Sequence, residues 1–210
     1  MLQEKMLQFA LGGAEWVLWL LVVLSVVCVA IAIERALYLV LNATPRGPFE
    51  AAVGAYLQGG ARAAIEAQLG AMKGVEARVL ASGFAAATGS PEDAMAGTLA
   101  FEKLRMERGL LVIGTVAANA AYIGLFGTVI GILKAFNDLA LATDSKMSDG
   151  AAPVMAGISE ALVSTAAGLM VAILCVVLFN YLTRRVKSTT ARIGSIGSLV
   201  VSRLVSERAA

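Results

Sequence analysis

Three stretches without a charged residue, at 16–33, 109–133 and 161–183, constrain this chain of 210 residues more than any other feature of its sequence. The hydrocarbon core of a bilayer is about 30 Å thick, so a helix that rises about 1.5 Å per residue needs about 20 residues to cross it. Two stretches have that length, and the first reaches it by continuing past Glu34 and Arg35. The sequence therefore predicts an all-α membrane protein with three transmembrane helices. A content of 59% hydrophobic and 15% charged residues agrees with this prediction, because it does not fit a water-exposed surface.

Composition also narrows the chemistry that is open to the chain. It contains no histidine, which excludes histidine-based catalytic triads, and its two cysteines, Cys28 and Cys175, lie inside apolar stretches. Basic and acidic residues are nearly balanced, at 17 and 15, and do not form the clustered positive charge that binds nucleic acid. We therefore expect no enzyme, no metal site, no cofactor and no nucleic-acid partner.

The distribution of lysine and arginine predicts the orientation in the membrane. One basic residue, Lys5, precedes the first stretch, seven lie between the first two stretches at 46–108, and six lie in the tail after residue 183. Basic residues are enriched in cytoplasmic loops. We therefore expect a periplasmic N-terminus and a cytoplasmic C-terminus. The expected organisation is an N-terminal periplasmic or interfacial segment (1–15), transmembrane helix 1 (16–41), a cytoplasmic helical segment (42–108), transmembrane helix 2 (109–137), a periplasmic connector (138–152), transmembrane helix 3 (153–183) and a basic cytoplasmic tail helix (184–210).

The end of the cytoplasmic segment has the pattern of a helix start. Ser90 is a good N-cap, Pro91 suits the first helical position, and Glu92 and Asp93 complement the positive end of the helix dipole. No strong breaker follows before the second apolar stretch, so the pattern predicts one long helix that extends from the membrane into the cytoplasm.

The second and third transmembrane helices each carry small residues on one face. Such faces let membrane helices approach closely, and we expect Gly124, Gly127, Gly131 and Gly168 to be helix-packing residues. The third helix also carries Glu160 beside hydroxyl residues. A carboxylate within a membrane costs about 2.5 kcal/mol or more, so it is a functional candidate, with capping or snorkelling to the outer water as the alternative.

The segments YIGLFGTVIGI at 122–132 and GISEALVSTAAGL at 157–169 resemble the signature of the ExbB/TolQ/MotA proton-channel family, and most of all its ExbB/TolQ branch. The resemblance implies a pentameric ring in the bacterial inner membrane, around a dimer of single-span ExbD/TolR-like subunits. It also implies that proton flow drives mechanical work on the outer membrane or cell envelope, through a TonB/TolA-like or motility effector. By position in the motifs, the proton pathway would be lined by Thr128, Glu160 and Thr165.

Two positions depart from the family pattern. Members often carry proline three residues before the motif glycine and threonine two residues earlier, where this chain has Ala121 and Asn119. Because proline removes a backbone hydrogen bond, its absence predicts a straighter second helix.

Several alternatives remain at the level of the sequence. A non-conducting oligomeric scaffold in the lipid bilayer would use the same small faces. A membrane enzyme is less favoured because the sequence has no Ser-His constellation, and a small secondary transporter because the three unequal spans show no duplicated halves. Nutrient uptake across the outer membrane, envelope integrity and gliding motility would all use the same motor, with protons or sodium as the driving ion.

Overall fold

The computed structural model describes residues 15–86, 89–143 and 151–209. In these ranges the chain is helical and contains no strand. The expected segment at 1–15, apart from Glu15, and residues 144–150 of the expected connector at 138–152 lie outside the described residues. The helices are α1 (Glu15–Leu41), α2 (Arg46–Leu57), α3 (Arg62–Ala71), α4 (Val75–Ala85), α5 (Pro91–Glu107), α6 (Leu110–Thr143) and α7 (Ala151–Ala209).

Three of these helices are long and apolar enough to cross a membrane: Glu15–Leu41, Leu110–Ala140 and Val154–Glu207. They contain the three uncharged stretches of the sequence, except for Gly109 at the start of the second stretch. The chain is therefore a multi-pass membrane protein, as predicted. Helix α6 is continuous through Ala121, the position at which the family pattern often has proline.

The chain divides into two compact units. The span unit comprises α1 as far as Ala32 together with Leu111–Asn180, and the extension unit comprises Ile33–Leu110 together with α7 from Tyr181 onward. Helices α1 and α7 each contribute residues to both units.

The extension unit has a core of its own, formed by large side chains from its short helices and from the end of α7. Phe49 and Tyr56 of α2 and Phe84 of α4 are at most 2% exposed, and the rings of Tyr56 and Phe84 meet edge to face at 5.2 Å between centroids. From the end of α7, Val200 and Leu204 are also buried. This helical, half-polar part of the chain therefore folds around buried side chains instead of forming a loose linker.

The structure corrects one expectation about these helices. The N-cap at Ser90 is confirmed, because its side chain accepts a hydrogen bond from the Asp93 amide at 3.4 Å and Pro91 opens the helix. The single helix from there into the second span is wrong. Helix α5 ends at Glu107, Arg108 is extended with ψ of 131°, and Gly109 has φ of 78° before α6 begins at Leu110. A positive φ is easily adopted by glycine, so Gly109 permits the break.

Candidate functional site

Helices α6 and α7 of the span unit are in contact at two glycines, Gly124 and Gly168. A Cβ atom added to Gly124 would lie 2.7 Å from the carbonyl oxygen of Ser164 and 3.0 Å from Cα of Gly168. A Cβ atom added to Gly168 would lie 2.7 Å from the carbonyl oxygen of Ala120 and 2.8 Å from Cα of Gly124. The two backbones are therefore in direct contact, which is how membrane helices pack on small residues.

The contact continues along both helices. A Cβ atom on Gly127 would lie 2.8 Å from Cβ of Ser164 and 3.1 Å from a methyl carbon of Val17, which belongs to α1. Farther along, Gly131 is buried, and its carbonyl oxygen would lie 3.9 Å from a Cβ atom on Gly157. The small residues thus place parts of all three spans against one another.

Thr165 joins the two motif helices by a polar contact. Its side chain is partly exposed, and its hydroxyl donates to the carbonyl oxygen of Gly124 at 3.3 Å. That oxygen also belongs to the backbone ladder of α6, so the Thr165 hydroxyl keeps its own lone pairs for another donor. A hydroxyl that both donates and accepts can hold a chain of water molecules.

The other two predicted pathway residues have different surroundings. The Thr128 hydroxyl donates to the Leu125 carbonyl of its own helix at 2.6 Å, and the residue is 8% exposed in the single chain. Glu160 is exposed, and no hydrogen bond or ion pair of its carboxylate occurs within the part of the chain that the structure describes. Thr165 and Gly124 therefore meet directly, whereas Thr128 on α6 and Glu160 on α7 both lie beyond this contact, toward the end at which Gly131 approaches Gly157.

Ser164 is a residue whose setting the sequence alone did not reveal. Its side chain is fully buried against Gly127, and its hydroxyl has no hydrogen-bond partner among the described residues. A hydroxyl buried without a partner costs about 1–3 kcal/mol. The sequence indicated a face of small residues on this helix, but only the positions of the helices show that the Ser164 hydroxyl is enclosed.

Large apolar side chains cover the outward faces of the three spans. Trp19 on α1, Tyr122 on α6 and Met170 on α7 are each at least 70% exposed in the single chain. Side chains of this kind need lipid or another protein surface around them.

The extension unit contains a buried carboxylate that links three segments. Glu76 of α4 is 4% exposed and accepts from the Thr44 amide at 3.2 Å, from the Thr44 hydroxyl at 2.6 Å and from the Arg192 guanidinium. Burial raises the pKa of Glu76, but the hydrogen bonds from Thr44 and Arg192 outweigh it and hold the pKa below its usual range. Glu76 is therefore ionised near neutral pH.

A second buried carboxylate, Glu102 of α5, receives two hydrogen bonds from Arg78 of α4, at 2.9 and 3.1 Å. The hydrogen bonds to Glu102 are the largest cause of the raised pKa of the Arg78 guanidinium. Both acids lie in the 42–108 segment, for which the sequence predicted helices in the cytoplasm. Charged residues in an alanine-rich segment usually lie on the surface, so no sequence signal marked these two as buried.

Within residues 15–86, 89–143 and 151–209, no group of three or more cysteine, aspartate or glutamate side chains is arranged to hold a metal ion. Cys28 and Cys175 are both buried in the span unit as free thiols.

These features define a class of protein: a multi-pass α-helical membrane protein whose second and third spans cross at glycines beside hydroxyl side chains. A model of the MotA/TolQ/ExbB proton channel family matches residues 71–195, which is more than half of the chain. The chain belongs to this family, and its similarity to proteins named ExbB and TolQ agrees with the branch expected from the motifs.

Among these relatives, a putative biopolymer transport protein ExbB-like 1 of Synechocystis sp. is 37% identical over 112 residues, covering 52% of this chain and 44% of the relative. The biopolymer transport protein ExbB of Aquifex aeolicus is 42% identical over 82 residues, covering 39% and 53%. The Tol-Pal system protein TolQ of Pseudomonas aeruginosa is 38% identical over 92 residues, covering 44% and 38%. The chain thus spans about half or less of the length of these relatives.

Proposed function

We propose that this protein is the channel and stator subunit of an ExbB/TolQ-like motor in the bacterial inner membrane. Five copies would form a ring around a dimer of single-span ExbD/TolR-like partners. Proton movement through the ring would then drive work on the outer membrane or cell envelope through a TonB/TolA-like or motility effector. The chain would act as a channel wall and carry out no enzymatic reaction.

The Thr165–Gly124 contact is the observation that carries this proposal. It sets a hydroxyl with free lone pairs at the crossing of α6 and α7, inside the region matched by the family model. Thr128 and Glu160 would extend a polar path from this contact toward the end of the two helices at which Gly131 approaches Gly157, with Glu160 exchanging protons or holding water. The described residues of α6 include one acid, Asp138 near the end of the span, so the main proton-binding carboxylate would come from the partner.

The proposed orientation places 1–15 and 138–152 in the periplasm, and 42–108 and 184–210 in the cytoplasm. It rests on the excess of basic residues in the latter two segments.

Conservative substitutions test the proposed path. We expect Glu160→Gln, Thr128→Val and Thr165→Val each to abolish proton-driven work while the protein still inserts and assembles, because each removes a charge or hydroxyl at nearly constant volume. Work is measured as gradient-dependent envelope function in cells that lack the native subunit. Thr115→Val is the matched control, since the Thr115 hydroxyl also donates to a carbonyl of α6 but lies on an exposed part of the helix outside the motif.

A non-conducting scaffold is the second candidate. It is favoured by the use of Gly124 and Gly168 for packing and by the bond of the Thr128 hydroxyl within its own helix. A scaffold would tolerate all three substitutions. Full activity of the three variants at normal expression, with the partner present, would therefore select the scaffold and reject the channel.

A further inference from the structure

The extension unit contains a cavity of about 250 Å³ where α1 and α7 continue beyond their apolar stretches. Its walls come from the last turns of α1, the segment after it, the start of α4 and the part of α7 that follows residue 180. This volume is below the roughly 300–1,000 Å³ of sites that enclose a whole drug-sized ligand. The cavity therefore suits a compact polar group instead of a complete large molecule.

The charge of the walls is positive. Arg46, Arg185 and Arg192 line the cavity together with one carboxylate, Glu76. Glu76 is already occupied by Arg192 and Thr44. The guanidinium groups of Arg46 and Arg185 thus give the cavity walls an excess of positive charge.

Neither of the two remaining arginines has a carboxylate partner in the described part of the chain. Arg46 is exposed at the start of α2. Arg185 donates to the hydroxyl of Tyr181 at 3.3 Å and lies over its ring at 5.6 Å from the centroid, and neither contact supplies a negatively charged partner. The hydroxyl residues Ser188 and Thr189 also line the cavity and can donate to an anion. Arginine binds phosphate oxygens through two parallel hydrogen bonds, so this set matches a phosphate group.

The apolar part of the lining indicates where such a phosphate comes from. Leu39 and Val40 of α1 share the walls with the arginines, and Val40 is 70% exposed. Tyr38 and Tyr181 also line the cavity, and tyrosine is enriched where membrane meets water. A free phosphate ion gains nothing from contact with exposed apolar side chains, whereas the acyl chains of a phospholipid pack against them.

We propose that this cavity binds the phosphate headgroup of an anionic phospholipid from the inner leaflet, with the acyl chains along the exposed apolar end of α1. Basic pockets beside the cytoplasmic ends of membrane helices are suited to such lipids. The bound lipid would link α1 to α7. The inference rests on the proposed orientation in the membrane, but it does not require proton conduction.

The test compares two pairs of substitutions that remove the same charge. Arg46→Gln with Arg185→Gln changes the cavity, whereas Arg184→Gln with Lys187→Gln changes exposed residues of the same helix that do not line it. Delipidated full-length protein in detergent is titrated with phosphatidylglycerol or phosphatidylcholine, and bound lipid is counted by native mass spectrometry. We expect the variant with both cavity substitutions to bind phosphatidylglycerol at least about tenfold more weakly than wild type. The affinity of the variant with both control substitutions should stay within about threefold of wild type. Equal losses in both pairs, or no loss in either, would overturn the proposal.

Two measurements on the wild-type protein keep the test decisive if the cavity pair fails to fold. Phosphatidylglycerol with a photoreactive headgroup should label peptides within 36–46 and 181–192, and labelling confined to other segments would contradict the site. Inorganic phosphate should not displace the lipid, and complete displacement would assign the cavity to a soluble anion. Because binding is read without proton flux, a failure of the channel proposal leaves these results unaffected.

Discussion

At the scale of single residues, the hydrogen side chain of Gly168 decides how close α6 and α7 can come. We expect Gly168→Ala to destabilise the protein by about 1–3 kcal/mol, because the added methyl group would meet backbone atoms of Ala120 and Gly124 that cannot turn away. Thermal unfolding in detergent, followed by circular dichroism, measures the change.

The matched control for this substitution is Gly194→Ala, on the same helix, where nothing lies within 4 Å of an added Cβ atom. Alanine favours a helix over glycine by up to about 1 kcal/mol, so this variant should melt at or above the wild-type temperature. Equal melting temperatures for Gly168→Ala and wild type would show that the two backbones are farther apart than described.

The sequence identified the motif residues but not what each one contacts. The positions of Thr128, Glu160 and Thr165 on two apolar helices followed from the motifs and from helical periodicity. The hydrogen bond from Thr165 to Gly124 and the enclosure of the Ser164 hydroxyl depend on the register between α6 and α7. That register is set by contacts across the helices, which periodicity within one helix does not determine.

At the scale of helices, the long apolar elements were the easiest to predict, because about 20 uncharged residues in a row have few other structures open to them. The break at Gly109 was missed for a physical reason. One glycine in a helical pattern costs only about 1 kcal/mol, so the sequence does not indicate whether the helix passes through it. In the structure α5 ends at Glu107, and Gly109, with φ of 78°, lies in the break before α6.

The contact of α4 and α7 through Glu76 gives stability that depends on pH. The pKa of Glu76 is lower in the folded protein than its ordinary value of 4.5, so its contribution is present above that value and is lost as the pH falls through the folded pKa. We expect the melting temperature of wild type to fall on acidification below about pH 4.5, and the difference between wild type and Glu76→Gln to shrink in the same window.

A suitable control is Glu50→Gln, which removes the same charge from an exposed position of α2. The difference in melting temperature between wild type and Glu50→Gln should not shrink on acidification as the difference for Glu76→Gln does. The contrary result is that the melting temperatures of wild type and Glu76→Gln differ by a constant amount from neutral pH down to acid unfolding. That result would exclude an ionised Glu76 as the source of the stability.

At the scale of the whole molecule, the exposed apolar faces require an environment that a single chain does not supply. Lipid can cover one side of each span, but Glu160 is exposed on α7 and needs water or protein beside it. We therefore expect a ring of several copies with Glu160 turned away from lipid, and we take the number of five copies from the resemblance to the ExbB/TolQ family. Native mass spectrometry of the detergent-solubilised protein should give the mass of five chains, and a stable monomer at working concentration would contradict the ring.

The last prediction concerns how such a ring would couple proton movement to work. Each elementary charge that crosses 100 mV releases about 2.3 kcal/mol, which can shift a packed helix interface but is small for work on an envelope, so several protons per cycle are needed. Within the described parts of α6 and α7, the candidate pathway offers hydroxyls and Glu160 but no central aspartate. Liposomes that contain this protein alone should therefore show little proton flux, and adding the single-span partner should raise it. Replacing the acid of the partner's span should remove that increase, and an uncoupler should slow the motor in proportion to the lost gradient. Equal flux with and without the partner would mean that this chain conducts by itself, because the partner's carboxylate would then have no part in the pathway.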